Sequence, residues 1–209
     1  MLKLSAFLPA IAFAGSAAAE APPSAQRYLF YLHGAIVENQ GPQGVSPKYG
    51  RYDYPGVIGA FRNAGLTVRS EVRPRGTEVN AYADKVVAEV RSLIASGVDP
   101  SHVTVVGASK GAVIAALVST RLSNAKVRYV LLANCNPWLI RTHNPRLSGE
   151  VLSIYESSDE IGGSCAGVLK RSPAVTRFKE VRLQTGLGHG IVYRPLKQWT
   201  APAIAWAKR

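Results

Sequence analysis

The chain has 209 residues, of which 47% are hydrophobic and 18% charged. That balance excludes an intrinsically disordered protein and suits one well-buried core rather than two domains. Its 25 basic residues outnumber 13 acidic ones, for a formal charge of +12, but they are scattered (Arg51, Arg62, Arg69, Arg73, Arg75, Lys126, Arg128, Lys170, Arg171). With no dense basic run and no nucleic-acid motif, the charge reads as a generally basic surface, and no nucleic-acid partner is expected.

The first segment, MLKLSAFLPAIAFAGSAAA, carries a lysine, an apolar run and small residues ending at Ala19. This is the layout of a secretory signal peptide over 1–19, which leaves 20–209 as a single exported domain, periplasmic or secreted. A membrane anchor is the other reading of such a stretch, but the apolar run from Leu4 to Ala14 is too short for ~30 Å of hydrocarbon and Pro9 interrupts it. Nothing later is long and apolar enough to predict a stable membrane span.

Six short apolar runs follow, at 28–32, 66–72, 103–107, 127–135, 151–155 and 178–183. Between them lie a Gly-, Pro- and Gln-rich loop after His33-Gly34 and helix-like stretches over 54–64, 80–95 and 110–122, with a closing helix over 195–208. The cleanest of these, 80–95, gathers Tyr82, Val86, Val87, Val90, Leu93 and Ile94 on one face. Residues 136–148, with Pro137, Trp138 and Pro145, lack clear period and read as a loop or short helix. Strands apolar throughout belong to a sheet covered on both faces, and alternation with helices implies parallel strands. The expected fold class is α/β, a three-layer sandwich around a mostly parallel sheet of about six strands.

The pentapeptide Gly107-Ala108-Ser109-Lys110-Gly111 sits where the apolar strand VTVVG meets a helix. Glycines two before and two after the serine permit a tight turn that strands and helices with larger side chains there would obstruct. The turn also sets Ser109 at a helix N-terminus, where free N–H groups favour developing negative charge. Ser109 is therefore the candidate nucleophile, and a serine hydroxyl needs a base oriented by a third group. His189, in the glycine-rich GLGHG loop after the last strand, reaches the sheet edge where post-strand loops gather, and is chosen as base over His143. Asp159, in the turn after 151–155, is chosen as the acid, with Glu156 at the strand end as the alternative. The two cysteines, Cys135 and Cys165, both lie in the exported part and are expected to form a disulfide tying the loops after two successive strands.

These residues carry a resemblance. The strand ending in His33-Gly34, the GASKG turn, Asp159 and His189, in the order Ser, Asp, His, resemble the α/β-hydrolase superfamily over residues 28–206. The resemblance implies an oxyanion hole from the backbone N–H groups of Lys110 and Ala35, while the 50 residues from Ser109 to Asp159 depart from the family pattern in leaving no room for a large cap, so a minimal, capless core is expected. The resemblance also implies acyl-enzyme hydrolysis of a carboxylic ester or related small-molecule acyl substrate, with no metal or other cofactor. The alternatives are a peptidase or thioesterase with the same triad, or a non-catalytic envelope or ligand-binding protein on that scaffold. Lys110 would either steer an anionic substrate or point to solvent. The polar, aromatic loop with Asn39, Gln40, Gln43, Lys48, Tyr49, Arg51 and Tyr52 reads as a substrate rim or a solvated surface loop.

Overall fold

A computed structural model describes residues 26–209, so the expected signal peptide over 1–19 lies outside the described residues. In chain order the elements are β1 (Tyr28–Leu32), α1 (Ala35–Gln40), β2 (Val45–Ser46), β3 (Gly50–Arg51), α2 (Tyr54–Asn63), β4 (Thr67–Arg69) and α3 (Val79–Ala95). Then come β5 (Val103–Ala108), α4 (Lys110–Leu122), β6 (Arg128–Leu132), α5 (Pro137–His143), β7 (Ser148–Glu156), α6 (Ala166–Leu169), β8 (Ala174–Leu183) and α7 (Lys197–Ala207). Two 3₁₀ turns, Pro100–His102 and Gly188–Tyr193, precede β5 and α7.

Six strands form one sheet in the order β4-β1-β5-β6-β7-β8, every neighbouring pair parallel. Alternation along the strands decides which helices cover which face. Tyr28, Phe30 and Leu32 of β1 join Val103 and Val105 of β5 and Tyr129 and Leu131 of β6 in a core covered by α3 and α4. Their neighbours Leu29, Tyr31, Val106, Val130 and Leu132 point the other way, into a core covered by α2 and α7. α3 buries Ala83, Val86, Val87, Val90 and Leu93, the stripe of a surface helix. α4 lies over the middle of the sheet and is buried without interruption from Gly111 to Ser119.

Helix starts follow local chemistry. The Asp53 side chain accepts from the Gly56 amide at the head of α2, and Glu78 accepts from the Ala81 amide at the head of α3. Two glycines are demanded by close approach. A Cβ on Gly107 would come within 2.6 Å of the Ala112 Cα, and one on Gly111 within 2.7 Å of the His33 carbonyl oxygen. This is what lets α4 begin directly against the ends of β5 and β1.

Candidate active site

Because all six strands run the same way, the segments after β1, β5, β7 and β8 emerge at one edge of the sheet. Ser109 occupies the single residue between β5 and α4 and has φ of 53°, a left-handed conformation uncommon outside glycine. Such strain, on the order of 1–3 kcal/mol, is held in place by the Gly107 and Gly111 approaches and by the Ser109 amide donating to the Leu132 carbonyl at 2.9 Å. His189 stands in the 3₁₀ turn before α7, where the Tyr49 ring packs over Gly190, a Cβ there coming within 3.0 Å of Tyr49.

The Ser109 Oγ and His189 Nε2 are 2.8 Å apart, and His189 Nδ1 lies 2.8 Å from Asp159 Oδ2 and 3.1 Å from Oδ1. A carboxylate only accepts, so Nδ1 carries the proton and Nε2 is left to accept from the serine hydroxyl. The Asp159 side chain is fully buried, which by itself would raise its pKa. Hydrogen bonds from His189 and from the Ile161 amide, at 2.8 Å, outweigh that and hold the carboxyl below its usual range, so it stays ionised.

Glu156, the alternative acid, is occupied elsewhere. It is buried at the end of β7, where Oε2 accepts from the Thr185 amide at 2.8 Å and hydroxyl at 2.7 Å, while Oε1 accepts from Ser158 and Ser157. The Ser158 hydroxyl in turn accepts from the Gly188 amide at 3.2 Å. Burial pushes the Glu156 pKa up, but these donors pull it down to about 2. The carboxylate thus ties the turn bearing Asp159 to the turn bearing His189.

Ala35 and Lys110 are the first residues of α1 and α4, where the helix offers their amides no acceptor. Ala35 shares a cleft with Ser109 and His189, and the Cβ position of Gly34 is 3.5 Å from the Ser109 Cβ. Behind them, His33 is fully buried, with Nδ1 2.9 Å from the Gly34 carbonyl and Nε2 accepting from the Arg73 amide at 3.0 Å. Burial first, and the Arg73 guanidinium second, lower its pKa to about 4, so His33 is a neutral strut of this loop. The Lys110 side chain takes neither course expected for it. Its Nζ donates to Glu38 Oε1 at 2.6 Å and to the Thr77 carbonyl at 2.8 Å. Glu38, buried on α1, also accepts from the Thr77 amide and from Arg73, and the lysine and arginine offset the cost of burying its charge. This network clamps the loop after β1 to the start of α4.

Cys135 and Cys165 form a disulfide that joins the segment after β6 to the one after β7. His143 stays out of the Ser109 chain of hydrogen bonds; it ends α5, its ring edge-on to Trp138. His102 lies at the opposite edge of the sheet, before β5. Two clefts meet at Ser109. One of about 210 Å³ is walled by Ala35, Tyr49, Tyr52, Tyr193 and His189, and one of about 260 Å³ by Val79, Val113, Asn134, Trp138 and Lys110; Ile161 belongs to both. Tyr49 and Tyr52 thus line the first cleft, Tyr52 as a fully buried residue. Among the described residues no helix is long and apolar enough to cross a membrane, and no cluster of three or more His, Cys, Asp or Glu side chains is arranged to hold a metal ion.

No family model matches this sequence, and no curated protein sequence matches it. Solved structures do. SOBER1 of Arabidopsis thaliana is 16% identical, with a TM-score of 0.58 over 88% of this chain and 99% of its own. A monoacylglycerol lipase of Paleococcus ferrophilus is 13% identical, with a TM-score of 0.59 over 86% of this chain and 93% of its own. A Xanthomonas campestris protein described as a hydrolase of the alpha/beta superfamily is 16% identical, with a TM-score of 0.53 over 88% and 97%. The fold of this chain is the α/β-hydrolase fold.

Proposed function

We propose, with that fold as premise, that this protein is an exported serine hydrolase that cleaves a carboxylic ester or related acyl bond through an acyl-enzyme. The observation that carries the reading is the continuous chain from Ser109 Oγ through His189 to Asp159, with 2.8 Å at each link. Lipolytic enzymes among the solved structures of the same fold are consistent with an ester substrate. The disulfide fits an oxidising compartment and hence export.

In this mechanism the Ser109 oxygen attacks the acyl carbon while its proton passes to His189 Nε2. Asp159 holds the imidazole in the reactive tautomer and stabilises the imidazolium. The oxygen of the tetrahedral intermediate accepts from the Ala35 and Lys110 amides, each such donor being worth about 3–4 kcal/mol at the transition state. Collapse transfers the Nε2 proton to the leaving group, and water repeats the sequence on the acyl-serine. Lys110 contributes its amide, while its ammonium group stays with Glu38.

Ser109→Ala is the test. It is expected to abolish hydrolysis of short 4-nitrophenyl esters while leaving the fold intact by circular dichroism. Wild-type activity in that variant would sink the assignment, and an inert wild-type protein would favour a binding role on the same scaffold.

A further inference from the structure

The two clefts at Ser109 are chemically unequal. Only the first has His189 in its wall, and the leaving group must come within hydrogen-bond reach of His189 Nε2 to receive its proton. The alcohol side of a substrate therefore falls in the tyrosine-lined cleft, and the acyl side in the cleft walled by Val79, Val113, Trp138 and Ile161.

That second cleft combines apolar Val79, Val113, Ala133, Trp138 and Ile161 with polar Ser109, Lys110, Asn134 and Asn136. Asn134 is 3% exposed, and its Nδ2 has no hydrogen-bond partner. Buried side-chain donors are ordinarily paired, so an orphan in a cleft wall beside a nucleophile awaits an acceptor. The residue is also held firmly in place. Ala133 and Cys135 on either side have φ of 55° and 59°, Cys135 is fixed by its disulfide to Cys165, and the Asn134 carbonyl accepts from the Gly163 amide at 2.7 Å.

We infer that Asn134 is a specificity-determining residue whose carboxamide N–H donates to an oxygen on the acyl chain, so that the substrate class is an ester of an oxygen-bearing acid rather than of a plain alkanoic acid. This rests on Ser109 being the nucleophile. The apolar walls take the chain, and Asn134 selects the chain that carries an ether, hydroxyl or carbonyl oxygen at its depth.

Three ester pairs test it: the 4-nitrophenyl esters of methoxyacetate, 3-methoxypropanoate and 4-methoxybutanoate, against butanoate, pentanoate and hexanoate. Each pair has one length and exchanges an oxygen for a methylene. Dividing kcat/KM by the hydroxide rate of each ester removes intrinsic reactivity. At least one ether ester should be favoured about tenfold by the wild-type protein, the effect of one well-made hydrogen bond in a closed site. In Asn134→Leu, shown to be folded by its melting curve, that ratio should fall to near one. Ratios near one in all three wild-type pairs overturn the inference, as does a folded leucine variant that keeps the preference. If the variant does not fold, the wild-type ratios decide. No turnover of any of the six esters overturns both this inference and the nucleophile assignment, whereas turnover without preference overturns the role of Asn134 alone.

Discussion

Replacing Glu156 by glutamine should weaken both the fold and the site through one carboxylate. Its two oxygens accept from Thr185, Ser157 and Ser158, and at least two of these donors are backbone amides that cannot turn away. Burial opposes ionisation, yet the pKa is pulled from the ordinary 4.5 to about 2 by those donors. Across that interval, at about 1.4 kcal/mol per pH unit, the folded state favours the carboxylate over its neutral form by about 3 kcal/mol. The folded pKa lies below the unfolded one, so this stability is present above pH 4.5 and is lost as pH falls from there through about 2. Glutamine copies the neutral shape and sets an NH₂ group against a donor, so Glu156→Gln should cost about 3 kcal/mol at pH 7. For a domain of this size that lowers Tm by roughly 6–12 °C. Calorimetry at pH 7 and at steps down to pH 2.5 should find the gap between wild type and variant widest at neutral pH and narrowing on acidification. The variant should also lose kcat at pH 7, because the turns that carry Asp159 and His189 lose the carboxylate that links them through Ser158 and Thr185. A gap that stays constant across this pH range, or one below about 1 kcal/mol at pH 7, would refute the reasoning.

Gly111→Ala drives a Cβ into the Leu32 and His33 carbonyls, so urea denaturation should show a loss of about 2 kcal/mol or more, together with lost activity as α4 shifts from β1. Asp159→Asn presents a carboxamide to His189 Nδ1 and favours the wrong tautomer. Steady-state kinetics should find kcat down on the order of 10³–10⁴-fold. Replacing both Cys135 and Cys165 by serine opens a covalent link spanning 30 residues, and should cost about 3–4 kcal/mol by denaturant titration.

The parts of this molecule that were legible in the sequence are those where several local cues coincide. An apolar run, a G-x-S-x-G turn and a helical period meet at Ser109, and parallel topology then fixes which loops face it, so the positions of Asp159 and His189 could be argued without coordinates. What was not legible depends on long-range partners or on elements too short to show a period. In the sequence α1 reads as part of a loop, because six residues beside glycines carry no helical signature, and its Glu38 finds Arg73 and Lys110 35 and 72 residues away. The same distance hid the destination of the Lys110 side chain. β4 covers only Thr67–Arg69 of the expected 66–72, since Ser70 turns its hydroxyl to the Tyr31 carbonyl. β6 ends at Leu132 because Ala133 adopts a left-handed conformation, and that turn places the buried Asn134 among the residues lining the second cleft. β8 starts at Ala174, four residues earlier than expected, along an edge whose side chains are too polar to read as a buried strand.

The most direct test of the account is to react the protein with a fluorophosphonate and map the adduct by peptide mass spectrometry. The account predicts one stoichiometric phosphonyl group, on Ser109, and none in the protein unfolded before treatment. An adduct on another residue, or an unmodified Ser109 in the folded protein, would contradict it.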